Sequence, residues 1–116
     1  MPDEAEPFAC LAHPCALKVA AHARRDEIVL VFSGEADVAA APLLTHALTQ
    51  ASVHAPERVA VDLSGLEFID THCLDIILGT QDKLRARGAD LVLRSPQPSV
   101  LRMLQLLERQ DLIELS

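Results

Sequence analysis

The 116 residues fit one domain of ordinary size, since a split into two would divide a core only just large enough for one. Half of the residues are hydrophobic, yet there is no Trp or Tyr and only three Phe, so the core is built from Leu, Ile, Val and Ala, with little to stack on bases or sugars. The net charge is -7 and the ten Lys and Arg are scattered singly or in pairs; this excludes nucleic acid as a partner, because affinity for a phosphate backbone comes from clustered cations.

The chain opens on an acidic stretch punctuated by Pro2, Pro7 and Pro14, which reads as an irregular N-terminal extension over residues 1–15 ahead of a domain over 16–116. The start from Met1 to Glu6 lacks the basic character of a secretory signal. No run approaches the roughly 20 apolar residues of a membrane helix, so no membrane insertion is expected and the cytoplasm is the expected compartment. Cys10, Cys15 and Cys73 are odd in number and lack the spacing of a disulfide framework, which suits a reducing environment. Cys10, His13 and Cys15 make one short cluster; a structural zinc site takes four ligands in paired spacings, so no metal is assigned.

From Ala16 the pattern becomes regular. Leu17 to His22 and Glu27 to Phe32 are apolar runs separated by Arg24-Arg25-Asp26, which predicts a β-hairpin. Leu43, Leu44, Ala47, Leu48 and Ala51 repeat at helical spacing, and Pro42 fits the first turn of a helix over about 40–53. Arg58 to Leu63 reads as a buried strand ended by Ser64-Gly65. The next helix, over about 72–86, has Asp70 or Thr71 as its N-cap, carries Leu74, Ile77, Leu78 and Leu84 on its inner side, and stops at Gly88. Asp90 to Arg94 is a further strand, Val100 to Glu108 a third helix, and Leu112 to Leu115 a short final strand or turn. The resulting order implies an α/β fold: a mixed β-sheet of four to five strands with interspersed helices packed against it. No G-x-G-x-x-G, P-loop, H-E-x-x-H or G-x-S-x-G occurs, so no cofactor is assigned and the chain reads as a binding protein, not an enzyme.

The informative stretch runs from Asp62 to Leu74 (D-L-S-G-L-E-F-I-D-T-H-C-L), where a strand passes into a helix N-terminus. It resembles the signature of the STAS domain family, the bacterial anti-sigma factor antagonists, whose usual form is D-L-S-x-V-x-F-x-D-S-S-G-L. Ser33 to Asp37 (S-G-E-A-D) resembles the family's G-E-L-D turn, and Ile77-Leu78-Gly79 its I-L-G segment. The stretch around Arg94 to Leu104 is similar to the passage into its last long helix. The resemblance implies a STAS-like fold and a regulatory module that binds an anti-sigma factor with serine/threonine kinase activity, with a cognate phosphatase as a further partner. It places the phospho-acceptor at Thr71 and the partner-binding surface at Glu35, Asp37, Asp70, Thr71, His72 and Cys73. The positions after Thr71 depart from the pattern: His72 replaces the second serine, and Cys73 replaces the glycine and is expected to add bulk beside the phosphate.

Physical chemistry bears on the same residues. A phosphate on Thr71 would face backbone N–H groups at the positive end of the helix dipole while adding about two negative charges to the surface. Taken without the resemblance, Thr71 reads as a helix cap and Asp37 as a loop carboxylate. Cys73 opens another route, since a thiol in the first turn of a helix can have a lowered pKa and serve as a redox sensor. A third reading keeps the fold and changes the assembly: some STAS-like proteins with D-T at this site serve in ABC lipid-transport or stress-signalling complexes.

Overall fold

The computed structural model describes residues 16–109 and residue 113. The expected extension over 1–15, with Cys10, His13 and Cys15, lies outside the described residues. So does the expected strand from Leu112 to Leu115, apart from Ile113, which forms an isolated parallel bridge with Leu93.

The elements follow in the order β1 (Leu17–Ala23), β2 (Glu27–Ala36), a 3-10 turn (Val38–Ala40), α1 (Ala41–Val53), β3 (Arg58–Ile69), α2 (Thr71–Ala86), β4 (Asp90–Arg94) and α3 (Pro98–Leu106). They build one four-stranded sheet in the order β1-β2-β3-β4. The expected hairpin forms: β1 and β2 pair antiparallel, and the Arg24 N–H closes the turn on the Glu27 carbonyl at 2.7 Å. β2, β3 and β4 are mutually parallel, with α1 and α2 as the crossovers that parallel neighbours require. Pro98 occupies the first turn of α3, where its missing N–H costs nothing, so this helix starts two residues before the expected Val100.

The strand expected to stop at Ser64-Gly65 continues to Ile69. The register explains why its sequence looks broken. Val31 and Ser33 on β2 face Asp62 and Gly65 on β3, and Gly34 and Glu35 face Leu66 and Phe68, so β3 carries one extra residue at each of two irregularities. Each extra residue delays the inward position by one step. Leu63, Leu66 and Ile69 therefore all point into the core at intervals of three, and the alternation by which a strand is recognised is lost. Gly34 sits between these irregularities with φ +95°, and a Cβ there would run into the Ala16 carbonyl oxygen; β1 can approach only a glycine.

Helices and sheet share one core. Leu30 and Phe32 on β2, Val59, Val61 and Leu63 on β3, and Leu91 and Leu93 on β4 meet Leu44 and Leu48 of α1, Leu74, Ile77 and Leu84 of α2, and Val100 and Leu104 of α3. Alanines at 47 and 51 let α1 lie close to its neighbours. Two features of α2 depart from expectation. Leu78 is only partly buried, because the inward stripe runs through residues 74, 77, 81 and 84 and leaves position 78 at its margin. Gln81 instead is fully buried; its Nε2 donates to the Leu91 carbonyl at 3.4 Å and its Oε1 accepts from Arg109 Nη2 at 2.8 Å. On the other face of the sheet Val29 and Ala60 are buried outside the shared core, and Arg94 on β4 reaches across β3 to Glu27 on β2 at 2.7 Å.

This burial pattern separates two adjacent positions. Ile77→Ala should cost about 2–5 kcal/mol, the range for emptying a packed core site, while Leu78→Ala should cost less than half as much. Urea unfolding of both variants checks this, and equal losses would show that position 78 belongs to the inward stripe.

Candidate functional site

β2 and β3 end side by side, with Ala36 opposite Ile69 in the parallel register. Both following connections therefore leave from the same end of the sheet. The Asp70 N–H donates to the Ala36 carbonyl at 3.0 Å, extending the pairing by one step into the loop. The Asp70 carboxylate then turns to α2, accepting the Cys73 N–H at 2.8 Å through Oδ1, so Asp70 is the N-cap and Thr71 the first helical residue. Asp37 has the same role after the neighbouring strand: its Oδ1 accepts the Ala39 N–H at 3.1 Å and caps the 3-10 turn.

A third link binds the two connections. The Cys73 thiol donates to the Asp37 carbonyl at 3.2 Å, across 36 positions of sequence. The acidic turn and the motif loop thus form one surface, on which Glu35, Thr71 and His72 are exposed and Asp37 and Asp70 half-buried. Cys73 is not part of that surface. The resemblance puts it beside the phosphate site, but the helix turns it inward, where it is 0 % exposed and fills core space. The bulk added in place of glycine is therefore taken up inside, and the outer face is shaped by Thr71 and His72.

The thiol is also unlike an activated one. Burial, then the hydrogen bond to Asp70 and the negative charges of Asp70 and Asp37, push its pKa up to about 12. The redox-sensor reading, which needs an accessible thiolate, loses its basis. Nor do the described residues bring together any group of three His, Cys, Asp or Glu side chains able to hold a metal ion. None of their helices is long and apolar enough to cross a membrane.

Two residues of this surface are not marked in the sequence. Val38 is 69 % exposed on the 3-10 turn, and Phe68 is 46 % exposed opposite Glu35. Phe68 is turned outward by the irregularity at Glu67; simple alternation from Leu66 would put it inside, so its sequence carries no sign of its exposure. Nothing in A-D-V-A-A signals the position of Val38 either. Both add exposed apolar area to the connected segments that carry Asp37 and Thr71.

Comparison with known proteins places this geometry in context. Residues 18–116 match the STAS domain. The anti-sigma-B factor antagonist of Listeria monocytogenes is 28% identical over 90 residues, covering 78% of this chain and 79% of that protein. The crystal structure of an anti-sigma factor antagonist from Mycobacterium paratuberculosis superposes with a TM-score of 0.78 at 24% identity, covering 89% of this chain and 87% of that one. The anti-sigma factor antagonist SpoIIAA in its unphosphorylated form gives a TM-score of 0.73 at 21% identity over 85% of this chain and 86% of that one. The phosphorylated form of SpoIIAA, a Bacillus cell fate determinant, gives 0.68 at 19% over 85% and 89%. These structures share the four-stranded mixed sheet and its helices.

The raised pKa gives a direct expectation. The folded state holds the Cys73 proton more tightly than the unfolded state does, so the stabilising contribution is complete below about 9 and is lost as the pH rises from there towards about 12. With Cys10 and Cys15 replaced by Ser, the folded protein should react with a thiol reagent at neutral pH far more slowly than the urea-unfolded chain. Rapid labelling without unfolding would show that the thiol is exposed and activated after all.

Proposed function

This chain belongs to the STAS domain family, and on that premise we propose that it is an anti-sigma factor antagonist: a cytoplasmic regulator of transcription that acts by binding and not by catalysis. Its partner is an anti-sigma factor with serine/threonine kinase activity. The surface that meets this partner is the edge carrying Glu35, Asp37, Val38, Phe68, Asp70, Thr71 and His72. Phosphorylation of Thr71 releases the partner, and a phosphatase restores binding. The resemblance to the antagonist of Listeria monocytogenes supports the partner class, and the structural likeness to SpoIIAA in both phosphorylation forms is in keeping with the switch.

One observation carries the reading. The cap of α2 is Asp70, so the Thr71 hydroxyl is exposed at the first helical position and is not consumed in holding the helix. The local electrostatics are finely divided. The Thr71 and His72 N–H groups lie in the first turn of the helix, which has no intrahelical acceptors for them, and can meet a phosphate. The Cys73 N–H is already taken by Asp70, and the Asp70 and Asp37 carboxylates stand nearby. A phosphate would be tolerated by the fold but would replace a neutral hydroxyl with about two negative charges on an already acidic contact surface.

The test compares Thr71→Ala with Thr71→Asp. Because the cap is supplied by Asp70, both variants should melt close to the parent. Titrated against the anti-sigma factor of the same cell, Thr71→Ala should bind nearly as the parent does. Thr71→Asp should bind roughly 100-fold more weakly, about 3 kcal/mol, the scale of an unpaired carboxylate in an interface. Equal affinities of the two variants would place Thr71 outside the interface and end the proposal.

A further inference from the structure

A second feature lies between α1 and the β1–β2 hairpin, on residues that take no part in the surface carrying Thr71. There the helix and the hairpin leave an apolar groove of about 300 Å³, at the lower end of the range for sites that take one small molecule. Val19, Ala21 and Leu30 belong to its floor, and His46, Gln50 and His54, one helical turn apart on α1, to its wall. The hollow exists because alanine stands at positions 21 and 23 on β1 and 47 and 51 on α1, where leucine or valine would fill it. We propose that the groove binds a small, neutral, apolar molecule of about two fused rings, held by a hydrogen-bonding substituent against the wall of α1.

The chemistry of the lining selects that class. No Lys, Arg, Asp or Glu is among the described residues that line the groove, although 23% of the chain is charged. An ion entering it would lose hydration without meeting an opposite charge, whereas an apolar ring gains by leaving water. Towards the hairpin turn the groove adjoins a second hollow, which shares Ala23, Ile28 and His54 with it and carries Arg24, Arg25, Asp26, Glu27 and Glu57. With Glu27 held by Arg94 at 2.7 Å, Arg24 and Arg25 are balanced by Asp26 and Glu57, so this end favours neither sign of charge.

The wall supplies the polar part. Gln50 and His54 are exposed, and neither side chain bonds another described residue. Amide and neutral imidazole each present both a donor and an acceptor, so a hydroxyl group or ring nitrogen on the ligand finds a partner in either sense. A molecule seated there touches β1 and α1 at once and stabilises the fold by mass action. The site uses none of residues 35–38 or 68–72 and is independent of the reading of Thr71 as a switch.

The chain has no Trp or Tyr, so the emission of an added naphthalene dye is read without background. The neutral dye N-phenyl-1-naphthylamine should brighten and shift to the blue on titration. 1-Anilinonaphthalene-8-sulfonate, the same rings with a fixed negative charge, should bind at least roughly tenfold more weakly. 1-Naphthol should displace the neutral dye several-fold better than naphthalene does, and Gln50→Ala with His54→Ala, both at exposed positions, should abolish that preference. Ala21→Ile, a β-branched residue at an exposed strand position, should fill the groove and remove the brightening while the circular dichroism persists. Amide chemical shifts of the parent protein on addition of 1-naphthol, which need no variant, should move chiefly over residues 19–23 and 46–54. No brightening of the neutral dye overturns the proposal. So does brightening that survives in a folded Ala21→Ile variant, equal binding of the sulfonate, a naphthol preference that outlasts the loss of both wall side chains, or amide shifts centred elsewhere.

Discussion

The peptide N–H of Asp70 and the carbonyl of Ala36 meet at 3.0 Å where two parallel strands run out, and the geometry of the functional edge descends from that contact. With the end of β3 pinned to the end of β2, the first turn of α2 starts in a fixed place. The Asp70 side chain can then cap that turn, and the Cys73 thiol falls within reach of the Asp37 carbonyl. Asp70 therefore works with its backbone towards the sheet and with its side chain towards the helix. A cap is worth about 1 kcal/mol to a helix, but here it also leaves the exposed Thr71 hydroxyl out of the capping bond.

The rest of the domain holds this edge at a constant height above the core. The shared core fixes the spacing of the strands, and the bridge from Arg94 to Glu27 spans β3 on the other face, where Val29 and Ala60 lie buried. Such a half-exposed ion pair contributes little stability by itself. Gln81 binds the backbone of β4 and the Arg109 side chain, tying the far side of the core to the chain beyond α3. A buried amide with both ends bonded favours one arrangement over slipped alternatives.

Much of this is legible in the sequence because it follows from local rules. The hairpin, α1, the start of α2 and β4 are each marked by periodicity and by a turn or cap residue, and the motif from Asp62 to Leu74 indicates the family and the loop that carries Thr71. What is hidden depends on pairing between distant segments. The two extra residues in β3 are visible only against β2, so Ser64-Gly65 looks like an end, and Phe68 looks like core. The inward turn of Cys73 follows from Asp70 being the cap, and two candidates for that cap stand side by side in the sequence. Gln81 gives no sign of its burial because its partners, the Leu91 carbonyl and Arg109, come from elsewhere in the chain.

The mixed direction of the strands also bears on how the molecule assembles. β1 and β2 are joined by a short turn, so their contacts cost little chain entropy and can form early. The pairing of β2 with β3 requires closure of the loop containing α1, and at the end that carries Thr71 it finishes with Glu35 opposite Phe68 and Ala36 opposite Ile69. The edge that carries Thr71 thus depends on pairings that the hairpin alone cannot make. During synthesis a nascent chain can complete the hairpin well before this edge, which awaits the arrival of β3.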